Sequence, residues 1–100
     1  MTVELRWLVR TVPPANATVF VQALGADGQL LGQHDSYPLE GRYPTSQWSA
    51  SEQVFDRVTL QLTRPLTAED RVIAGMYVLP QADRRIPTSG GASFVMLQRA

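Results

Sequence analysis

Apolar and polar residues alternate along much of the chain with a period of two. In residues 2–10 every second residue is apolar, with Trp7 in phase and only Leu8 out of phase. Such a period places alternate side chains on one face, so the segment is predicted to be a half-buried β-strand with Trp7 in the core. The same pattern in residues 54–62 predicts another such strand, with Asp56 on its apolar face.

Four further segments have the character of strands. Residues 18–24 and 30–35 flank an Asp-Gly pair, which is typical of a hairpin turn. Residues 72–79 are apolar throughout, which favours a central strand buried on both faces, and Gly75 within it marks the close approach of a ring or another backbone. Residues 93–98 alternate again and are predicted to be the last strand.

The remaining segments are predicted to be irregular. Residues 67–70 are too few for a helix and are interpreted as a turn, although Thr67 and Asp70 have the spacing of a capping box. Residues 81–91 are polar and rich in glycine, proline and arginine, and no strand is predicted there. Residues 36–52 have no period of either kind and form a long loop. A loop of this length is either packed by its own side chains or functional.

Six or seven short antiparallel strands in about 100 residues, separated by glycine and proline turns, predict an all-β fold. The favoured architecture is an immunoglobulin-like or fibronectin III-like β-sandwich, with a small barrel as the alternative. Neither a repeat nor a second domain is visible, so residues 1–100 are predicted to be a single domain.

Composition narrows the functional classes. The chain has 100 residues, with nine arginines, no lysine, nine acidic residues, one histidine, no cysteine and a formal net charge of zero. This balance offers no basic face for nucleic acid. A domain of this size leaves little room for a deep active site, and the lack of cysteine excludes disulfides, thiolate zinc sites and cysteine nucleophiles. No apolar run approaches the ~20 residues that cross a bilayer, so direct membrane insertion is not expected.

Candidate chemical groups are few. His34 beside Asp35 has the form of a base or ligand pair, but it is the sole histidine, and no motif places a nucleophile near it. We therefore predict neither catalytic residues, nor a metal site, nor a cofactor. Asp35 and Asp56 flank the long loop and are interpreted as its structural anchors. Asp56 in particular would be costly to bury unless it accepts loop N–H groups or caps the loop through Thr45 or Ser46.

Three aromatic residues lie in the long loop, namely Tyr37, Tyr43 and Trp48. They have two possible roles. Packed inward, they would close one end of the sandwich, which is the favoured interpretation. Exposed on a concave surface, they would form a platform for a sugar ring or contact a partner.

The segment of residues 27–56, DGQLLGQHDSYPLEGRYPTSQWSASEQVFD, carries a more specific pattern. Its Asp-Gly hairpin, Q-x-D, P-x-x-G-x-Y-P-T-S-x-W and V-x-D elements resemble the C-terminal soluble domain of bacterial multi-spanning membrane glycosyltransferases of the protein-mannosyltransferase-like superfamily. Later elements also match, namely Gly75 with Tyr77 and the Arg-Ile-Pro of residues 85–87. The resemblance spans residues 18–98. It departs from the usual pattern in two turns, at residues 50–52 and 69–71.

This resemblance implies a non-catalytic β-sandwich attached to a membrane enzyme, whose acidic catalytic residues lie in membrane-domain loops outside these 100 residues. The domain would then come from the C-terminus of a larger membrane protein and lie on the outer face of the cytoplasmic membrane. Two hypotheses follow. The first is an accessory or interaction domain that contacts the membrane part of the parent enzyme. The alternative is a carbohydrate-binding module that presents a glycan or a lipid-linked sugar.

Overall fold

The fold is built almost entirely from β-strands. The computed structural model describes residues 1–13, 15–79, 81–87 and 94–97, and within these ranges it has no α-helix. The strands are β1 (Thr2–Leu8), β2 (Thr18–Leu24), β3 (Leu30–Ser36), β4 (Gln53–Thr59), β5 (Arg71–Val78), β6 (Gln81–Ile86) and β7 (Val95–Met96). They form two antiparallel sheets. The predicted all-β, sandwich-like class is confirmed.

The two sheets are of unequal width. β1 and β4 form the smaller sheet. The larger sheet has the order β3-β2-β5, and both β6 and β7 pair with the far edge of β5. It is therefore four strand positions wide, whereas the smaller sheet is two. The more specific immunoglobulin or fibronectin III type stays a prediction, because the strands divide two and five rather than four and three.

The core lies between the inner faces of the two sheets. β1 and β4 contribute the residues whose phase the sequence pattern predicts, and Asp56 lies among them at 9% exposure. The larger sheet contributes mainly β2 and β5. The buried cluster consists of Val3, Leu5, Val9, Ala17, Val19, Val21, Ala23, Leu31, Trp48, Val54, Val58, Leu60, Val72, Ala74 and Met76.

The outer face of the larger sheet carries a second packed group. Phe20 lies directly opposite Gly75, the position at which the sequence predicts a close approach. Its ring is 1% exposed and stacks on Tyr77 with 6.2 Å between ring centroids. The Arg85 guanidinium lies 4.3 Å from the centroid of the Phe20 ring. β5 is thus buried on both faces, as predicted.

One element and two boundaries differ from the sequence prediction. The prediction that residues 81–91 contain no strand is wrong for residues 81–86, which form β6 and pair with β5. In the described part of the chain β6 is an edge strand of the larger sheet, and polar residues are compatible with an edge strand. β1 and β4 end at Leu8 and Thr59, before their apolar alternation does. Residues 88–91 of the polar stretch, and residues 93 and 98 of the predicted last strand, lie outside the described residues.

The loop between β3 and β4 is held by a carboxylate on the inner face of β4. Asp56 Oδ2 accepts a hydrogen bond from the Leu39 N–H at 3.0 Å, and Oδ1 accepts one from the Arg57 N–H at 2.7 Å. Leu39 and Glu40 both have positive φ angles, 54° and 55°, in a region that L-residues rarely occupy. Asp56 therefore holds a strained 3₁₀ turn, Pro38–Gly41, against the sheet.

We expect Asp56→Ala to lower the free energy of unfolding by about 1–3 kcal/mol, because two backbone N–H groups lose their acceptor. The matched control is Arg57→Ala. It removes the ion pair between Arg57 and Glu4, whose two side chains are 71% and 74% exposed. Exposed ion pairs of this kind contribute about 0–1 kcal/mol to stability. Urea unfolding of both variants measures the difference. Equal losses would contradict the anchoring role of Asp56.

The turn before β5 contains the second charged anchor. Asp70 accepts two hydrogen bonds from the Arg64 guanidinium, at 2.7 and 3.1 Å, and one from the Thr67 N–H at 2.7 Å. The bonds from Arg64, followed by the bond from Thr67, hold the pKa of Asp70 well below its usual range. Residues 67–70 form a turn, as predicted.

This lowered pKa predicts a pH dependence of stability. Because the unfolded chain protonates Asp70 near pH ~3.9 and the folded chain does so only at lower pH, the stabilisation is present above pH ~4 and is lost as the pH falls below it. Between pH 7 and pH 2.5, the thermal midpoint of the native protein should fall more steeply than that of Asp70→Asn, which cannot titrate. Parallel curves by circular dichroism would disprove the contribution of Asp70.

Candidate binding groove

An open groove runs between the free edge of β1 and the inner face of the larger sheet. Its volume is about 560 Å³, which lies in the range of known ligand clefts. The walls come from β1, the chain that follows it, and the β5, β6 and β7 side of the larger sheet. Most of the lining is apolar and includes Trp7, Leu8, Trp48, Met76, Ile86 and Val95.

The groove exists because the smaller sheet is too narrow. Strands in a sheet are spaced by about 4.8 Å, so two strands cannot cover four strand positions. β4 contributes no residue to the lining, whereas residues 5–13 all do. The uncovered part of the larger sheet therefore lies beside β1 and away from β4.

Both tryptophans of the chain line the groove, but their indole N–H groups differ. Trp48 Nε1 donates to the Tyr43 carbonyl at 3.1 Å. Trp7 Nε1 is buried and has no acceptor among the described residues. A buried N–H without an acceptor lowers the stability of a fold by about 1–3 kcal/mol. Trp7 itself is half-buried at the edge of the predicted core.

The charged part of the lining is of one sign. Among the described residues, Arg6 and Arg10 line the groove and no carboxylate does. Glu4, two residues from Arg6 on the same face of β1, forms its ion pair with Arg57 at 3.0 Å. No ion pair involves Arg6 in the described part of the chain. The groove therefore combines apolar walls with positive charge along β1, which suits an apolar ligand that carries negative charge.

The three loop aromatics do not share a surface. Trp48 is 6% exposed, and Tyr37 is 45% exposed. The half-buried Tyr43 donates its hydroxyl to Glu52 Oε2 at 2.7 Å. This bond raises the pKa of Tyr43 and, together with the Ser49 N–H, lowers the pKa of Glu52. Two of the three residues thus stabilise the loop, and Tyr37 alone is free to contact a sugar.

Asp35 and His34 do not form the pair that their adjacency suggests. Asp35 Oδ2 accepts a 2.6 Å hydrogen bond from the Tyr77 hydroxyl, which raises the pKa of Tyr77 to about 12. Asp35 is therefore placed with β5, not with the loop that it is predicted to anchor. His34 lies opposite Val21 on the other face of the same strand, half-buried. In the described ranges, no three His, Cys, Asp or Glu residues lie close enough to hold a metal ion.

Sequence reasoning missed the groove. Its walls join residues 5–13 to residues 74–76, 86, 87, 95 and 97, which are far apart in the chain. One local signal was available, because Leu8 breaks the alternation of β1 and is 52% exposed. An apolar residue out of phase in an edge strand indicates a second apolar surface beside the core.

Because the two indole N–H groups differ in hydrogen bonding, we predict that substitution of the two tryptophans lowers stability by different amounts. Trp48→Phe deletes the hydrogen bond to the Tyr43 carbonyl. Trp7→Phe removes a donor that has no acceptor among the described residues. We expect Trp48→Phe to lower the free energy of unfolding by about 1–2 kcal/mol more than Trp7→Phe. Urea unfolding followed by circular dichroism measures both. A larger loss for Trp7→Phe would show that its N–H is paired in solution.

Comparison with known proteins adds no relative. No protein family, no curated protein and no solved structure matches this chain. Within the described ranges, no helix has the length and apolar character needed to cross a membrane.

Proposed function

We propose that this protein is a non-catalytic accessory or interaction domain, and that the groove beside β1 is its binding surface. The observation that carries the proposal is the uncovered inner face of the larger sheet. A sandwich normally buries this surface, but here the described residues leave it as the floor of an apolar cleft. Apolar surface of this kind is typical of a site that another molecule covers.

The sequence resemblance suggests the setting of this interaction. On that basis the domain belongs to a membrane glycosyltransferase, lies on the outer face of the cytoplasmic membrane, and contacts the membrane part of its own enzyme. A domain in this role needs a docking surface and no catalytic groups of its own. The groove supplies such a surface.

A carbohydrate-binding module is the alternative, and the positions of the aromatic residues favour it less. Trp48 is buried and Tyr43 is bonded to Glu52, so a sugar ring would meet Tyr37 alone. The groove is also lined mainly by apolar residues, whereas a sugar-binding site needs several side chains that hydrogen-bond to the sugar hydroxyl groups.

Tryptophan emission offers a direct test, because both tryptophans line the groove. We expect anilinonaphthalene sulfonate, an apolar probe with one negative charge, to change this emission saturably at one site per molecule. Val95→Gln should weaken the binding about fivefold, because it removes apolar contact from the groove wall.

Met96→Gln is the matched control. Met96 follows Val95 in β7, is 63% exposed and lies outside the groove lining, so the affinity should stay within twofold. Binding that does not saturate, or that both variants weaken equally, would count against the groove. A saturable response to oligosaccharides that Tyr37→Ala abolishes and Val95→Gln preserves would favour the sugar-binding alternative.

A further inference from the structure

The backbone of β1 has a free edge that faces the groove. Met1 and Leu60 exchange two hydrogen bonds, of 2.9 and 2.8 Å, and the Val9 N–H donates to the Glu52 carbonyl at 2.9 Å. Antiparallel ladders alternate between bonded and non-bonded pairs, so the odd-numbered residues of β1 point their backbone groups towards β4. The N–H and C=O groups of Thr2, Glu4, Arg6 and Leu8 therefore point to the other side, where β1 pairs with no strand in the described part of the chain.

Two other strand edges are closed by the chain itself. At the outer edge of β4, Asp56 accepts hydrogen bonds from the Arg57 N–H and from the Leu39 N–H of the Pro38–Gly41 turn. At the outer edge of β3, the Thr63 N–H donates to the Leu31 carbonyl at 2.9 Å. A Cβ atom on Gly32 would lie only 2.5 Å from the Gln61 carbonyl oxygen, which shows how closely that segment approaches β3. No such cover lies along β1 in the described ranges.

We propose that the groove binds an extended peptide segment of a partner protein, which adds to β1 as an antiparallel strand. This inference rests on the proposed function and identifies the kind of partner. An added strand would lie one spacing of about 4.8 Å from β1, above Met76, Ile86 and Val95. Every second side chain of the segment would then cover the apolar floor.

The charged residues along β1 indicate which side chains the bound segment carries. Its outward side chains lie beside Glu4 and Arg6, and Glu4 already pairs with Arg57. Arg6 is the cation along this edge without an ion pair in the described ranges, and Arg10 lines the same groove. The segment therefore carries an acidic residue opposite Arg6 and apolar residues at alternate positions.

A second copy of this chain fits the edge poorly. Antiparallel pairing of β1 with its copy would create a two-fold axis perpendicular to the smaller sheet and place both larger sheets on the same side. In each copy the larger sheet extends past β1 by its β6 and β7 strands. The larger sheets of the two copies would therefore overlap beneath the paired β1 strands. A single peptide strand brings no second sheet and avoids this overlap.

The test uses the peptide acetyl-Val-Thr-Val-Glu-Val-Thr-Val-amide with the ¹⁵N-labelled domain. We expect amide hydrogen exchange of Glu4, Arg6 and Leu8 to slow at least tenfold on binding, because their N–H groups become hydrogen-bonded. The amides of β3 are the control and should not change. Unchanged exchange in β1 while the Trp7 indole resonance shifts would overturn strand addition and leave the proposed function intact.

Two N-methylated peptides test the main-chain bonds without changing any side chain. Methylation at the Glu amide, which faces β1 in antiparallel pairing, should weaken binding about tenfold, and methylation at the Val that follows it should have less than a twofold effect. Equal affinities would contradict the proposal. So would decanoate displacing the peptide with equal affinity, since this would indicate a pocket for a small amphiphile.

A charge exchange tests the contact at Arg6. Arg6→Glu should weaken binding of the Glu peptide, and replacement of that Glu by Lys should restore it. Arg42→Glu, an exposed substitution outside the groove lining, is the matched control. If neither the peptides nor anilinonaphthalene sulfonate bind, the proposed function fails together with this inference.

Discussion

A two-stranded sheet has to cover the inner face of a sheet four strands wide, and the rest of the structure depends on this mismatch. An isolated strand pair is marginal in water, so β1 and β4 are stable only because Val3, Leu5, Val54 and Val58 pack on the larger sheet. That packing buries the centre of the larger sheet and leaves its β6 and β7 side open. Core and groove are therefore two parts of one surface.

The long loop packs against β4 and against the residues that precede β2. Asp56 connects the first 3₁₀ turn to β4, Trp48 is buried and bonded to the Tyr43 carbonyl, and Thr45 Oγ1 accepts the Ala17 N–H at 2.9 Å. The aromatic and polar residues that suggest a binding loop are thus largely used for packing. By contrast, in the described ranges β1 has an edge without a strand partner, an indole N–H without an acceptor and an arginine without an ion pair. These three features make β1 the part of the molecule that is best suited to recognition.

The sequence predicts much of this fold because strand periodicity is local. The phase of residues 2–10 and 54–62 identifies the inward faces of β1 and β4, including the inward position of Asp56. The unbroken apolar run of residues 72–79 predicts the burial of β5 on both faces. In each case, neighbouring residues in the chain carry the information, because alternation follows from the geometry of the strand itself.

The partition of the strands into sheets was decided only by the tertiary structure. β6 is polar and has no periodic signal, and its strand conformation comes from pairing with β5. The groove joins residues 5–13 to residues 74–76, 86, 87, 95 and 97, and no spacing in the sequence shows that these lie together. The Trp7 N–H has no acceptor among the described residues, and this too depends on the tertiary structure, because only the fold brings a donor and an acceptor together. The amino-acid sequence by itself determined which side chains face inward. The tertiary structure decided which of those inward faces stayed uncovered, because cover depends on the number of strands that pair in each sheet.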